Sequence, residues 1–388
     1  MKDLLELREE IDRIDRQIVA LYQERMEVAA RVAAYKIETG KKVFDREREE
    51  SKLAALTALG ATDFNRYGIR ELFEQIMAMS RKRQYQLLTE HGIFEKPDFA
   101  EVDRPDFAGA RIVFQGVEGA YTQLALKEYF GADADSYHVE TWRDAMEAIA
   151  KGEADYAVLP IENSSAGIVS ENYDLMVEYD HCIVGEQVIR IDHALLGLQE
   201  AELSDITDVY SHPQALMQCS GYLGNRRDWE THSVKNTAMA ARKIKEDKNV
   251  YKAAIGSRLN AEIYGLKVLE ERIQNNKANA TRFIIVTGKH IFTKTAKKIS
   301  VCFEIPHESG SLYRTLSHFI YNGLNMNHIE SRPAVCGGQT DGDGTAEKKN
   351  WEYRFFVDFE GNLNDAAVQN ALRGLSEETV RFKILGNY

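Results

Sequence analysis

Cysteine is scarce. Only Cys182, Cys219, Cys302 and Cys336 occur in 388 residues, far apart and without a CxxC pair. That argues against a disulfide framework or a thiolate zinc site and makes a reducing cytoplasm the expected setting. No apolar run approaches the roughly 20 residues a membrane span needs, and the opening Met1-Lys-Asp-Leu-Leu-Glu-Leu-Arg8 lacks the apolar core of a signal peptide. Positive charge is in the minority, 49 Lys and Arg against 61 Asp and Glu, net -12. Bulk affinity for nucleic acid or anionic membrane is therefore not expected, and an anionic ligand would need a local cationic cluster. There is no Walker loop, HExxH or GxGxxG, so no cofactor or metal is expected. With 44% apolar and 28% charged residues the chain reads as folded, and at about 150 residues per domain it holds two or three domains.

Three segments follow. Residues 1–90 contain no proline and read as helices. Leu4, Leu7, Ile11, Ile14, Ile18, Leu21, Val28, Val32 and Tyr35 step by threes and fours, a coiled-coil-like seam in one long helix ended by Gly40. Asp45 is placed to cap a second helix running to Leu59, and a third spans about 65–88. Three helices with one long seam leave it uncovered, so at least a dimer is expected. Residues 91–109 hold two of the six prolines and read as a linker. From 110 to 290 short apolar runs (Arg111–Gln115, Asp155–Ile161, Asp208–Ser211, Lys252–Ile255, Arg282–Thr287) alternate with helical stretches, an α/β pattern with a mostly parallel sheet. Residues 297–388 read strand, helix, strand, strand, helix, strand, the ferredoxin-like split βαβ, with helices at about 312–322 and 365–374. A Gly-rich hairpin loop, Cys336–Thr345, joins the middle strands.

Arg25 occupies a seam position, where a buried guanidinium needs an anion. Lys36, 11 residues on, projects within roughly 20° of it and about 16 Å along the axis, so both can reach one ligand. Arg8 lies about 100° off that face, so within one straight helix it does not readily serve the same pocket, though it could serve a partner's. Asp45, Arg48 and Glu49 share one face of the second helix, as Ser80 and Gln84 do on the third. Read alone, each set is equally a solvated, salt-bridged surface. Taken together, Arg8, Arg25, Lys36, Asp45-x-x-Arg48-Glu49 and Ser80-x-x-x-Gln84 resemble the all-α helical chorismate mutase domain. The resemblance implies a pericyclic rearrangement needing only proximity and placed charge. Arg25 and Arg8 would hold the substrate carboxylates, and Lys36 and Gln84 would donate to the ether oxygen. Asp45 and Glu49 would fix the ring hydroxyl, with Arg48 and Ser80 in support.

In the second segment Gly116-x-x-Gly119-Ala-Tyr-Thr, Pro160-Ile-Glu-Asn-Ser-Ser-Ala-Gly167, Ser211-His-Pro-Gln214 with Gln218, and Thr281-Arg-Phe283 all sit at strand–loop junctions, where α/β sheets bind ligands. Read singly they are turn punctuation and helix caps. Together they resemble prephenate dehydratases. The implied fold is two α/β lobes of periplasmic-binding-protein type with the site between them. Thr281 corresponds to the family's essential threonine, donating a hydrogen bond to the leaving hydroxyl. Asn163, Ser164, Ser211, His212, Gln214 and Gln218 would orient substrate, and Arg282 would bind a carboxylate or form a structural ion pair.

In the third segment Gly310-Ser-Leu-Tyr313 and Glu330-Ser-Arg-Pro333 resemble the ligand motifs of ACT domains on such dehydratases, although Ser311 and Tyr313 replace the usual Ala and Val. The resemblance implies phenylalanine as effector, its carboxylate at Gly310 and Ser311, its side chain at Leu312, its ammonium at Glu330 or Asn325. Ser331, Arg332 and Pro333 complete the motif. The order of segments resembles the bifunctional mutase–dehydratases of phenylalanine biosynthesis. It implies a cytoplasmic homo-oligomer taking chorismate and prephenate, with no nucleic acid or membrane partner. The rival readings are an arogenate-preferring dehydratase and a non-catalytic, amino-acid-responsive binding protein.

Overall fold

The structure is a computed structural model that describes residues 3–93, 97–333 and 353–388. The loop Cys336–Thr345 lies outside the described residues. The chain divides into two compact units, Met1–Asp98 with Lys297–Ile384, and Phe99–Ala296 with Leu385–Tyr388.

In the first unit α1 runs Leu4–Thr39, α2 Arg46–Thr57 and α3 Asp63–Glu90. Gly40 ends α1 at φ 67, a left-handed backbone that glycine adopts without cost. Asp45 caps α2 as expected, its carboxylate accepting from the Arg48 amide at 3.2 Å. Ala33, Val43, Tyr85 and Leu88 form the small core that locks α1 to α3. The seam residues from Leu4 to Ile18 stay exposed along α1, which is about 54 Å long at 1.5 Å per residue.

The C-terminal part of this unit has the expected strand–helix–strand–strand–helix–strand order. Its sheet runs Met326–Pro333, Tyr353–Glu360, Lys298–Glu304, Arg381–Asn387, the ferredoxin-like arrangement. One boundary differs from expectation. The last helix does not stop at Gly374 but runs Ala366–Glu378. Gly374 is an approach point: a Cβ there would sit 2.3 Å from His318 Cε1 on the helix Ser311–Tyr321. The extra turn carries Glu377 and Glu378 onto α3. There Arg81 Nε donates to Glu378 Oε1 at 2.8 Å, and Lys82 Nζ donates to Ser317 Oγ at 2.7 Å.

The second unit contains two mixed sheets. The first runs Ser136–Val139, Ile112–Gln115, Tyr156–Asn163, Ala280–Thr287, Cys182–Arg190. The second runs Lys267–Glu270, Ala194–Gly197, Lys252–Gly256, Asp208–Ser211, Glu230–Ser233. The expectation of a mostly parallel sheet holds only for three strands at one end of each sheet, Ser136–Val139, Ile112–Gln115 and Tyr156–Asn163 in the first and Lys252–Gly256, Asp208–Ser211 and Glu230–Ser233 in the second. Ala280–Thr287 is antiparallel to both neighbours and Ala194–Gly197 is antiparallel to Lys252–Gly256, because these are crossing strands that enter from the opposite end. Each sheet has its own apolar core. The expected linker is partly structured: Ala100–Val102 pairs in parallel with Ile291–Thr293, and Phe99 and Phe107 pack on the core of the first sheet. Two aromatic anchors are enough to bind a proline-bearing stretch to the domain it precedes.

Glu378 is the charged centre of the first unit. Burial alone would raise its pKa, but the hydrogen bond and charge of His318 together with Arg81 outweigh that and lower it from 4.5 to about 2. A carboxyl depressed on folding stabilises the fold above its unfolded pKa and loses that contribution as pH falls through the folded value. The first unit should therefore lose on the order of 3 kcal/mol between pH about 4.5 and about 2. In urea titrations across that range, the stability gap between wild type and Glu378→Gln should close as pH drops.

Candidate active sites

A groove of about 1020 Å³ lies against α1, α2 and α3. Arg25, Lys36, Asp45, Arg48, Glu49, Ser80 and Gln84 all line it, so three helices bring together every expected residue of this set except Arg8. Its wall carries eight Lys and Arg side chains against three carboxylates, a cationic site on an acidic chain. Arg25 Nη1 donates to the Ile76 carbonyl at 3.4 Å and Lys36 Nζ to the Val43 carbonyl at 2.7 Å. Burial lowers both pKa values, with partial compensation from Glu49 at Arg25 and chiefly from Glu377 at Lys36. Gln84 is buried; its amide nitrogen donates to the Ser80 carbonyl at 3.2 Å, while its Oε1 has no partner among the described residues. Arg8 is exposed on the first turns of α1, about 26 Å from Arg25 at 1.5 Å per residue, and does not reach the groove.

The second site is in the α/β unit. Antiparallel register places Asn163 opposite Thr281. The Asn163 Oδ1 accepts from the Ser165 and Ala166 amides at 3.0 and 2.8 Å, a local turn that forces its Nδ2 the other way. That Nδ2 donates to Thr281 Oγ1 at 2.8 Å and to Asn279 Oδ1 at 3.0 Å. Thr281 thus accepts from the protein, and its own O–H is left to donate. Beside this cluster a cavity of about 200 Å³ is lined by Ser165, Gln214, Met217, Gln218, Gln274, Asn275, Asn276 and Asn279. None of these carries a charge. Gln218 Oε1 meets His193 Nε2 at 2.9 Å, and His193 Nδ1 meets the Tyr121 hydroxyl at 3.1 Å. Burial lowers the His193 pKa and pushes Cys219 up to about 12. Gly119 is required: at φ +87 its Cβ would lie 2.3 Å from Asn260 Nδ2, which donates to the Gly119 carbonyl.

Three expected residues fall outside this cluster. Arg282 is committed to Glu186 at 2.7 Å and to the Tyr388 hydroxyl at 2.9 Å. Its neighbour Thr281 faces the cluster, and consecutive strand residues point to opposite faces, so both cannot serve one site. Of the two earlier alternatives, the structural ion pair is the one present. Ser211 is fully buried and donates to the Ile255 carbonyl at 2.7 Å, tying two strands together. His212 is exposed and caps the helix Pro213–Gln218 by accepting from the Gln214 amide at 3.2 Å; burial of its ring lowers its pKa. Ser164 is at the edge of the cluster, its Oγ accepting from the Ala280 amide at 3.0 Å.

The C-terminal motifs lie on different elements. Gly310 caps Ser311–Tyr321 in a left-handed conformation, and Ser311 donates to the Pro306 carbonyl at 2.8 Å. Leu312 is half-buried and Tyr313 exposed. Glu330, Ser331, Arg332 and Pro333 end the edge strand, two strands from Lys298–Glu304. Asn325 precedes that strand and donates to Glu360 at 3.1 Å.

Sequence reasoning missed Arg81, Glu377 and Glu378 around the groove, and His193, Gln274, Asn275, Asn276 and Asn279 around the cleft. For the cleft a signal existed: the amide run Gln274-Asn-Asn-Lys-Ala-Asn279 immediately precedes Thr281.

A cationic three-helix groove and an uncharged amide cleft in a two-lobed α/β unit define a protein with two independent small-molecule sites. A family profile described as chorismate mutase type II matches residues 7–85, and one described as prephenate dehydratase matches residues 112–291. The bifunctional chorismate mutase/prephenate dehydratase of Escherichia coli K12 is 33% identical over 392 residues, 99% of this chain and 96% of that protein. A prephenate dehydratase from Arthrobacter aurescens, solved with L-Phe, aligns at TM-score 0.64 and 31% identity over 72% of this chain and 89% of its own. A quorum-quenching acylase, GqqA, aligns at TM-score 0.63 and 29% identity over 72% of this chain and 97% of its own. The chain belongs to the bifunctional chorismate mutase/prephenate dehydratase family.

Asn163 joins the turn after its strand to the strand opposite. Asn163→Ala, which strands those partners, should destabilise the second unit by about 2 kcal/mol, read as a lowered urea midpoint with an unchanged m-value.

Proposed function

We propose that the chain converts chorismate to prephenate in the helical groove and prephenate to phenylpyruvate in the amide cleft. The observation that carries this reading is the convergence of seven expected mutase residues on one cationic groove. In the groove an ether C–O bond breaks as a C–C bond forms, and no proton moves. The protein's task is to hold the dianion compact and to place positive charge where the ether oxygen gains electron density. Arg25 holds one carboxylate, Lys36 and Gln84 face the ether oxygen, and Asp45 and Glu49 take the ring hydroxyl. Gln84 must release its bond to the Ser80 carbonyl to do so. Arg8 from a second copy closes the site. A dimer through α1 is supported by the exposed seam, since a second helix laid along it would bury residues that one chain leaves in water.

In the cleft the ring hydroxyl of prephenate leaves as hydroxide, the C–CO2 bond breaks, and its electron pair completes the aromatic ring. Thr281 donates a hydrogen bond to the departing oxygen; threonine is too weak an acid to surrender its proton outright, so it stabilises the leaving group, and the proton that makes it water comes from solvent. Asn163 orients Thr281 by occupying its acceptor side. Gln214, Gln218, Asn276 and Asn279 hold the substrate's polar groups. The absence of charge in the cavity wall helps, because a carboxylate left without a cation loses CO2 more readily than one held in an ion pair. We read the ferredoxin-like part as an ACT domain that takes phenylalanine between the Gly310 and Glu330 motifs of two copies. The paucity of cysteine fits a cytoplasmic location.

Purified protein given chorismate alone should consume it and release phenylpyruvate, and phenylalanine should suppress that release. Accumulation of prephenate would remove the dehydratase step and make arogenate the next substrate to try. No loss of either substrate would leave a binding protein. Lys36→Ala should cost chorismate turnover about 100- to 1000-fold while sparing prephenate turnover, and Thr281→Val should do the reverse.

A further inference from the structure

Residues next to those that line the helical groove are bonded to a helix that the helical segment does not supply. The Phe44 amide, beside Asp45, donates to Glu377 Oε2 at 3.1 Å. The Tyr85 hydroxyl, beside Gln84, donates to the same oxygen at 3.1 Å. Arg81, beside Ser80, spreads its guanidinium over two carboxylates: Nε and Nη2 donate to Glu378 at 2.8 and 3.2 Å, and Nη1 donates to Glu49. The same guanidinium lies 4.9 Å from the centroid of the Phe44 ring. Glu378 also faces His318 Nε2 at 3.3 Å. Arg81 is only 5% exposed, so it cannot trade these partners for water. Glu49, through Arg81, and the immediate neighbours of Asp45 and Gln84 are thus held from the last turn of one helix 292 to 333 residues further along the chain.

We propose that Glu377 and Glu378 are positioning residues of the mutase site. Glu378 fixes two edges of the Arg81 guanidinium, so that the third edge holds the Glu49 carboxylate toward the substrate hydroxyl. Glu377 fixes the backbone at Phe44 and the ring of Tyr85, which sets where Asp45 and Gln84 project. The C-terminal ferredoxin-like part is therefore a structural portion of the mutase site as well as a domain of its own. In support, Glu377 is the largest charge acting on Lys36 across the groove. A planar, forked guanidinium transmits orientation where a lysine would only neutralise. This inference rests on the mutase reading above.

The test uses the full chain and four variants, Glu378→Gln, Glu377→Gln, Arg81→Gln and the double variant Arg81→Gln/Glu378→Gln. Each is assayed with chorismate and, separately, with prephenate. Glu378→Gln and Arg81→Gln should each lower kcat/KM for chorismate ten- to a hundredfold. The loss should sit mainly in KM, since Glu49 holds the substrate in ground and transition state alike. A smaller folded fraction would lower kcat and leave KM alone. The double variant should lose no more than Arg81→Gln, because Glu378 acts through Arg81. Prephenate turnover should stay within twofold throughout and reports that the protein is folded. If Glu378→Gln fails to accumulate, Glu377→Gln carries the test with an expected tenfold rise in KM. Unchanged KM in the single variants, or losses that multiply in the double variant, would overturn the proposal. A wild-type chain active on prephenate but inert on chorismate would instead sink the mutase reading itself.

Discussion

Arg81 is a cation held almost out of water, and such a group persists in a fold only if its neighbours are built around it. Burial works against its charge, yet Glu378 and Glu49 outweigh burial and push its pKa above the ordinary arginine value. Much of the first unit follows from that requirement. The last helix must extend past Gly374 to deliver Glu378. Gly374 must be glycine so that His318 can approach and share the same carboxylate. Phe44 must offer its ring to the guanidinium face, which holds the turn between α1 and α2 in place. Removing either carboxylate leaves the other partner's charge buried, the case in which a buried ion pair is most sensitive to substitution.

The two sites solve opposite electrostatic problems. The groove gathers cations because its reaction moves negative charge onto an ether oxygen and its substrate is a dianion. The cleft gathers amides and hydroxyls, which suits the proposed reaction, in which a carboxylate must lose CO2 and a tight ion pair would hold it back. The cleft's precision is local. Asn163 spends its carbonyl oxygen on its own turn and its amide nitrogen on the facing strand, so one side chain fixes both the loop and the threonine.

Local pattern made the element boundaries and the groove legible. The three-and-four spacing of α1, the cap at Asp45 and the faces of α2 and α3 are all short-range facts, and the structure places those residues as the spacing implied. One misreading was also local. Gly374 looked like a helix stop, but its reason is His318, 56 residues earlier in the chain. For Arg282 the sequence left a carboxylate ligand and an ion pair both open, and period two, which puts it on the face opposite Thr281, agrees with the ion pair to Glu186. The contacts that were out of reach are long-range ones. Arg81 meets Glu378 across 297 residues, and Asn163 meets Thr281 across 118, and no local spacing encodes either.

The bare seam of α1 has a consequence for how the two chemistries scale. If that seam is closed by a second copy, the helical groove is complete only in the associated form, whereas all the groups of the amide cleft come from one chain. Association follows mass action. On progressive dilution the first reaction would fade while the second kept its full rate per molecule, so the balance between making prephenate and consuming it would depend on how much of the protein is present.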